Sequence, residues 1–386
     1  MYDFDTVYDR TGTENNKWHH HPADVLPMFV ADMDLRSPEP IIRALRERVE
    51  HGFFGYGREE PEWFDVVRDR LKRRYNWDVE ADAILLLPGV IPSFNVALKA
   101  FGHAGDGVLV QVPGYGPILS APPRYGLERQ EAPLALAADG RYEIDWDLFD
   151  GAISQRTKFF MLCNPHNPVG RVFTRGELEG MAERCLRHDM LILSDEIHSD
   201  LLHAPNVHIP IATLSPEVAR RTITFMAPSK TFNLPGMKAA IAIIQDPDLR
   251  AQFVEARVGL VGAVNIMGYV SALAAYRDCD DWLAAMLEYI TANRDYLVEF
   301  VQRELPGIRC YPPEGTYLAW LDCRGANIPG GSAWQFFLDK AKVGLSDGEN
   351  FGTGGDSHVR LNFACPRSML EDGLTRMATA LRRARA

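Results

Sequence analysis

The sequence has few cysteines, and their spacing supports neither a cross-linked scaffold nor a structural metal site. Its six cysteines lie far apart in 386 residues, and none belongs to a CxxC pair. Disulfide-rich secreted domains and zinc ribbons need paired cysteines at short, regular spacings. We therefore expect neither class of protein, and we interpret the cysteines as small buried or half-buried hydrophobic residues.

The chain also lacks an excess of positive charge and long apolar runs. Its formal net charge is -11 at pH 7, and no cluster of lysine and arginine offsets that balance locally. Such a chain has no general attraction for nucleic acid phosphates or anionic lipid. No segment stays apolar for the roughly 20 residues of a membrane span, and the opening MYDFDTVYDR is acidic. We expect a cytoplasmic protein that binds neither nucleic acid nor membrane.

Short, unbroken apolar runs alternate with helical patterns through the middle of the chain. Such runs favour strands that are covered on both faces, and helices between them favour parallel strands joined by crossovers. The six runs are residues 83–87, 107–112, 158–163, 190–194, 222–227 and 239–244. The sequence therefore predicts an α/β fold with a mostly parallel, doubly wound sheet.

Helical patterns precede and follow these runs. Ser37 and Pro38 predict the cap and first-turn proline of a helix that Gly52 would end, and residues 59–77 predict a second helix. One long helix is predicted over residues 280–305, before strands in GTYLAWLD and HVRLNF.

We divide the chain into two domains on this basis. A large α/β domain is predicted over residues 46–275. A smaller α+β domain is predicted to combine residues 1–45 with residues 276–386. No linker rich in Pro, Gly or Ser separates them, so we expect the two to pack tightly.

Polar motifs follow several of the predicted strands, where open α/β sheets bind their ligands. Taken alone, each motif has an ordinary explanation as a loop, a helix cap or a solvated lysine. Taken together and in this order, they predict one site. The motifs are PGVIPS (88–93), PGYGP (113–117), NPHNPVG (164–170), DEIH (195–198) and PSKTFN (228–233).

Lys230 follows a buried strand directly, and this placement predicts its chemistry. A lysine there loses its proton readily and becomes able to attack an aldehyde. A Schiff-base lysine needs an electron-accepting cofactor, and pyridoxal 5'-phosphate (PLP) serves as one when a carboxylate keeps its ring nitrogen protonated. Asp195 is the candidate carboxylate, and Asn167 is a neutral donor for the ring oxygen.

Three further residues complete the predicted cofactor site. Val90 and Ile91 precede Pro92 at the start of a helix, where backbone N–H groups bind phosphate. Tyr115 offers an aromatic face for stacking on the ring.

The motifs N-P-x-N-P-x-G, D-E-I-H and S-K-T-F-N, in this order, resemble those of the class I and II aminotransferase family, PLP-dependent enzymes of fold type I. The resemblance covers essentially the whole chain. LPMFVADMD (26–34), CNPHNPVGRVFT (163–174) and PEGTYLAWLD (313–322) are similar to the bacterial branch that acts as cystathionine β-lyase or cysteine-S-conjugate β-lyase. The resemblance implies β-elimination from a cysteine S-conjugate, which yields a thiol, pyruvate and ammonia.

The resemblance also implies roles for the residues near the ring. Lys230 would form the Schiff base and move the Cα proton, and Asp195 would pair with the ring nitrogen. Asn167 would contact the phenolic oxygen and the substrate. His198 stands where many relatives have a tyrosine that reaches the same oxygen.

Other matching residues would hold the phosphate and the substrate. Ser229 and Lys238 would bind the phosphate, and Arg360 would clamp the substrate carboxylate in bidentate fashion. Tyr56 matches a catalytic-site tyrosine that reaches the phosphate of the neighbouring subunit, which implies a homodimer with shared sites. Phe29 stands where the branch has tryptophan.

Two alternatives share the same motifs. An aminotransferase would use every cofactor contact and differ only in reprotonating the aldehyde carbon of the cofactor. A regulatory protein could keep the fold and bind a partner without turnover. We predict no metal site, because the run His19, His20 and His21 is typical of a solvated loop and HSDLLH lacks the HExxH spacing.

Overall fold

The structure is a computed structural model that describes residues 2–328 and 330–385. Its strands are β1 (Leu26–Pro27), β2 (Ile84–Leu87), β3 (Gly107–Val112), β4 (Glu128–Leu136), β5 (Tyr142–Ile144), β6 (Thr157–Cys163), β7 (Leu191–Asp195), β8 (Thr222–Met226), β9 (Ala240–Ile244), β10 (Arg309–Cys310), β11 (Leu318–Asp322), β12 (Val343–Gly344), β13 (Ser346–Asp347) and β14 (His358–Asn362).

The helices are α1 (Asn16–His19), α2 (Glu39–His51), α3 (Pro61–Tyr75), α4 (Val90–Phe101), α5 (Gly116–Arg124), α6 (Trp146–Gly151), α7 (Arg175–Arg187), α8 (Pro216–Arg220), α9 (Pro228–Thr231), α10 (Pro247–Arg257), α11 (Ile266–Asp278), α12 (Asp280–Glu304), α13 (Ala333–Phe336) and α14 (Arg367–Arg385).

An eight-stranded sheet in the order β2-β9-β8-β7-β6-β3-β4-β5 forms the centre of the fold. Strands β8, β7, β6, β3 and β4 are parallel to one another. Side chains alternate between two cores: Val108 and Val110 of β3 pack on the face covered by α4 and α10, and Leu109 packs on the face covered by α7. The predicted α/β fold is confirmed, and both faces of the sheet are buried.

The sheet differs from the sequence prediction at its edges. All six predicted runs form strands, but β9 runs antiparallel to both of its neighbours, β8 and β2. β4 was not predicted, because its sequence ERQEAPLAL mixes charged and apolar residues. It pairs with the edge strand β5 and is partly exposed along its length, so it does not need to be apolar on both faces.

The predicted N-terminal cap of α2 was wrong, whereas the predicted C-terminal end of the helix was correct. The helix is capped by Pro38, with no side-chain hydrogen bond to the first turn. The Ser37 hydroxyl instead donates to the carbonyl oxygen of Asn233 at 3.1 Å. Gly52 ends the helix at φ 77°, a left-handed conformation that favours glycine.

The N-terminal segment and the last third of the chain pack together. β1 pairs in parallel with β12, and a four-stranded sheet has the order β10-β11-β14-β13. The long helix α12 begins and ends within one residue of its prediction. The predicted domain boundaries, after residues 45 and 275, fall within α2 and α11, and the division itself stays a prediction.

All six cysteines are buried and unpaired, as expected from their spacing. Across residues 2–328 and 330–385, no helix has both the length and the apolar character needed to cross a bilayer.

A buried ion-pair network connects α3 to the turn that carries Lys230. Asp200 accepts hydrogen bonds from Arg70 at 2.8 Å and from the Thr231 hydroxyl at 3.0 Å, and it pairs with Arg74 at 2.7 Å. Burial alone would raise the pKa of Asp200, but the charges of Arg70 and Arg74 hold that pKa well below its ordinary value. The position of α9 therefore depends on a paired charge.

Asp200→Asn should lower the free energy of unfolding by about 3–5 kcal/mol, because Arg74 loses its carboxylate partner and the buried Arg70 keeps only the more exposed Asp280. Urea titration at pH 7 measures the change. Asp82→Asn is a matched control at an exposed ion pair with Arg250, and it should cost less than about 1 kcal/mol. Equal effects of the two substitutions would contradict a structural role for the buried network.

Candidate active site

Lys230 lies just beyond the carboxyl end of β8, on the short turn α9. Its Nζ donates a hydrogen bond to the carbonyl oxygen of Ala31 at 2.6 Å. Burial of the side chain, followed by the positive charge of Arg360, lowers the pKa of Lys230 to about 8. A substantial fraction of the amine is therefore neutral near physiological pH, as a nucleophile requires.

Asp195 occupies the carboxyl end of β7, the neighbouring strand. Its side chain is buried, and Oδ1 accepts a hydrogen bond from the backbone N–H of Ile197 at 3.2 Å. Burial raises the pKa of Asp195 to about 7, although that N–H and the charge of Lys230 oppose the rise. No salt bridge reaches this carboxylate within the described ranges, so it is suited to a cationic group supplied by a ligand.

A cavity of about 450 Å³ opens at these strand ends and brings most of the predicted residues together. Its walls also include Ala31, Cys163 and Ile197. The predicted residues that line it are Val90, Ile91, Tyr115, Asn167, Asp195, His198, Ser229, Lys230 and Lys238.

One end of the cavity is built to bind an anion. Helix α4 starts there after Gly89, whose φ of 139° favours glycine, and no side chain caps its first turn. The N–H groups of Val90 and Ile91 are therefore available at a positive helix end. Ser229 and Lys238 line the same cavity and add a hydroxyl and a cation. Together these groups form a phosphate-sized anion site.

Arg360 lies on β14 beside the cavity, and its guanidinium is held from several directions. Nη1 donates to Asn167 Oδ1 at 2.8 Å, and Nη2 donates to the carbonyl oxygen of Phe29 at 3.0 Å and to Ser346 Oγ at 3.1 Å. Its Nε is buried without a hydrogen-bond partner, and burial lowers the pKa of Arg360 to about 10. The group remains a cation, and Nη1 keeps a second N–H that can donate to a carboxylate.

The contact with Arg360 also orients Asn167. Because Oδ1 of Asn167 accepts from the guanidinium, its amide nitrogen is left to donate into the cavity that Asn167 lines. Asn167 therefore presents a neutral donor to the cavity, and its contact with a ring oxygen stays a prediction.

His198 is buried on the cavity wall with its Nδ1 atom unpartnered. Its ring meets Tyr317 edge to face, with the ring centroids 6.2 Å apart. Burial, followed by the charges of Lys230 and Arg360, lowers the pKa of His198 to about 3, so the ring is neutral. A neutral ring with a free nitrogen can make one more hydrogen bond to a ligand.

Two predicted site residues do not line the cavity of their own chain: Arg360, which lies beside it, and Tyr56. The Tyr56 side chain is fully exposed in the loop between α2 and α3. Phe53 and Phe54 in the same loop are also exposed.

Residues 28–35, which we call the front segment, contribute contacts to the site that were not predicted from the sequence. The carbonyl oxygen of Ala31 accepts from both Lys230 and the Tyr317 hydroxyl, the latter at 3.1 Å. The side-chain amide of Asn233 bonds to Met33 and Leu35, and that of Asn362 donates to Val30 and Asp32. No side-chain pattern marks this segment, because it contributes mainly backbone carbonyl groups to these contacts.

The histidine run behaves differently from a simple solvated loop. His20 is exposed and His21 half-buried, and the two rings pack against each other and against Phe29. No group of three or more metal-binding side chains occurs among the residues that the structure describes.

Comparison with known proteins places this site in a family. The model of the family described as aminotransferase class I and II matches residues 25–377. Cystathionine beta-lyase PatB of Bacillus subtilis (strain 168) is 39% identical, over 98% of this chain and 99% of the relative.

Solved structures agree with the sequence comparison. Cystalysin from Treponema denticola, which contains a pyridoxal 5'-phosphate cofactor, superposes with a TM-score of 0.96 at 32% identity and covers 100% of both chains. The PLP-bound C-S lyase from Staphylococcus hominis has a TM-score of 0.93 at 31% identity, over 98% of this chain and 99% of that one. The resemblance inferred from the motifs is confirmed, and the chain belongs to the class I and II aminotransferase family.

Proposed function

We propose that this chain is a PLP-dependent carbon-sulfur β-lyase that converts cystathionine or another cysteine S-conjugate into a thiol, pyruvate and ammonia. One observation carries the proposal: Lys230 and Asp195 end adjacent strands at one cavity, and burial brings their pKa values to about 8 and about 7. Related proteins named as cystathionine beta-lyase and C-S lyase support the same reaction.

The cavity fits PLP group by group. The unpaired carboxylate of Asp195 suits a protonated ring nitrogen, and the free amide of Asn167 and the neutral ring of His198 suit the phenolic oxygen. Tyr115 would stack on the ring, and the start of α4 would hold the phosphate. When bound, PLP supplies an electron-accepting ring that stabilises negative charge at the substrate Cα.

The residues around the cofactor then divide the work of β-elimination. The Arg360 guanidinium binds the substrate carboxylate and fixes the direction of the Cα–H bond. Lys230 Nζ, held near the carbonyl oxygen of Ala31, removes the Cα proton. The Cβ–S bond breaks, its electron pair leaves with sulfur as a thiolate, and water hydrolyses the remaining three-carbon fragment to pyruvate and ammonia.

Lys230→Ala should reduce the release of pyruvate and thiol from cystathionine by at least about a hundredfold, because it removes the positioned base. Pyruvate and free thiol are measured with the purified, PLP-saturated protein. Lys99→Ala is the control, because Lys99 is exposed on α4 and lies outside the cavity. Borohydride reduction should attach the cofactor at residue 230 of the wild-type protein; full activity of the alanine variant would refute the assignment.

The same assay tests the aminotransferase alternative. Protein incubated with an amino acid and 2-oxoglutarate is examined for glutamate, alongside the cystathionine reaction. Pyruvate with free thiol supports the lyase. Glutamate without either product contradicts it, and the absence of every product would favour a regulatory protein.

Asp195→Asn gives a test that does not depend on turnover. In cofactor-free protein the pKa of Asp195 is about 7, above the ordinary value, so the stability that it contributes is greatest at low pH and is lost as pH rises through 7. Relative to wild type, the variant should gain about 2–3 kcal/mol between pH 5 and pH 8. Urea unfolding measures this trend, which saturating PLP should remove by supplying a cation; a trend of the opposite sign would contradict the buried, unpaired acid.

We also propose a homodimer in which Tyr56 reaches the phosphate site of the partner subunit. The exposed aromatic loop of Phe53, Phe54 and Tyr56 supports it, since exposed apolar patches commonly mark interfaces. A cytoplasmic location likewise stays a prediction from the sequence.

Tyr56→Phe should weaken PLP binding by about ten- to a hundredfold, because a hydrogen bond to a charged phosphate is lost. Cofactor titration measures the loss, with Tyr2→Phe as a control outside the site. Mixed dimers of Tyr56→Phe and Lys230→Ala should regain activity at limiting PLP, since one of their two sites carries neither defect. If mixing restores no activity, Tyr56 does not act across the interface.

A further inference from the structure

A second cavity of about 350 Å³ adjoins the proposed catalytic cavity. Tyr115 lines both cavities, and Arg360, which lines the second, is bonded to Asn167 in the wall of the first. A substrate whose carboxylate binds Arg360 and whose Cα faces Lys230 must direct its remaining bond, from Cβ to sulfur, away from the strand ends. The second cavity is the space available there for the group carried by sulfur.

One wall of this cavity is a cluster of flat rings, which we call the ring wall: His20, His21 and Phe29. The Phe29 centroid lies 4.9 Å from that of His20 and 5.2 Å from that of His21, and the two histidine centroids are 4.7 Å apart. Gly344 makes room for it, because a Cβ at that position would come within 2.7 Å of the His21 ring. The ring wall is thus supported from behind.

Two further aromatic side chains line the same cavity. Trp334 and Phe351 line it, and the indole N–H of Trp334 donates to the carbonyl oxygen of Leu345 at 3.1 Å, which fixes that ring. A planar group in this cavity would contact aromatic side chains from two distant parts of the chain.

The charges around the cavity do not favour a leaving group that ends in a carboxylate. Among the described residues that line it, Arg360 is the one lysine or arginine, and the proposed reaction already uses it. Asp347 adds a carboxylate at the same cavity, and burial, followed by the nearby His20, lowers the pKa of His21, which keeps that ring neutral at pH 7. The distal carboxylate of a substrate such as cystathionine would find no second lysine or arginine among the described residues that line this cavity.

We propose that the second cavity binds the substituent on sulfur and selects an aromatic ring, so that the preferred substrates are S-aryl conjugates of cysteine. The inference rests on the proposed β-lyase function, because it assigns the leaving thiol to this space. The reaction releases the aryl group as its thiolate together with pyruvate and ammonia.

Binding is measured separately from chemistry, because an arenethiolate is also the better leaving group. The probes are 3-(phenylsulfanyl)propanoate and 3-(ethylsulfanyl)propanoate, which keep the carboxylate and sulfur but lack the reacting amine. As competitive inhibitors of the PLP-saturated enzyme, the phenyl compound should have the lower inhibition constant by about tenfold. Equal constants would overturn the proposal.

Variants locate the effect in the ring wall. His20→Ala and Phe29→Leu should each reduce the phenyl-to-ethyl ratio to about threefold or less, because each removes a ring from the wall. His19→Ala is the matched control: its imidazole contacts the carbonyl oxygen of Thr13 and does not line the cavity, so the ratio should stay as in wild type. A ratio that persists in both ring-wall variants would show that the phenyl group binds elsewhere.

Turnover separates failure of this inference from failure of the proposed function. S-phenyl-L-cysteine and S-ethyl-L-cysteine are assayed for pyruvate. Pyruvate from both compounds with equal inhibition constants would retain the lyase and reject aromatic selection. If neither these compounds nor cystathionine gives pyruvate, the lyase assignment fails. The phenyl-to-ethyl ratio of dissociation constants, measured by titrating the absorbance of the PLP-saturated protein, then tests the ring-binding cavity on its own.

Discussion

The hydrogen bond from Lys230 Nζ to the carbonyl oxygen of Ala31 is the contact on which the rest of the site depends. It joins the end of a central strand to the front segment. There Ala31 has no reactive side chain and contributes only its backbone carbonyl group. Asn233 and Asn362, from two distant parts of the chain, hold that segment through five of its backbone groups. A single amine is therefore positioned by contacts that exist only when the whole chain is folded.

Burial makes Lys230 and Asp195 reactive, and it also lowers the stability of the folded protein. It moves the pKa of Lys230 down and that of Asp195 up, so that each stands near neutrality. Groups left without full compensation destabilise the fold. The buried charge of Asp200, in contrast, is paired with Arg70 and Arg74. Asp200 also accepts a hydrogen bond from Thr231, the residue after Lys230. The polar groups of the Asp200 network are therefore paired and fix the position of Lys230, whereas polar groups at the cavity are left unpaired for ligands.

The sequence predicted those parts of the molecule that local pattern determines. Strands buried on both faces are recognisable from apolarity alone, and Lys230, Asp195 and Asn167 followed from their places at strand ends. The antiparallel direction of β9 was not predicted, because it depends on how a connection folds over the sheet. The front segment was missed for a different reason. It contributes backbone carbonyl groups, which every residue possesses, so no side-chain pattern marks it.

The front segment also links catalysis to substrate choice. The carbonyl oxygen of Phe29 accepts from Arg360, whereas the Phe29 ring belongs to the ring wall of the second cavity. Two residues later, the carbonyl oxygen of Ala31 holds Lys230. A group that displaces the ring wall must therefore strain the backbone that orients the carboxylate clamp and the base. Because interiors are close-packed and transmit such strain, a poorly fitting thiol substituent would misplace the reacting Cα–H bond as well as bind weakly.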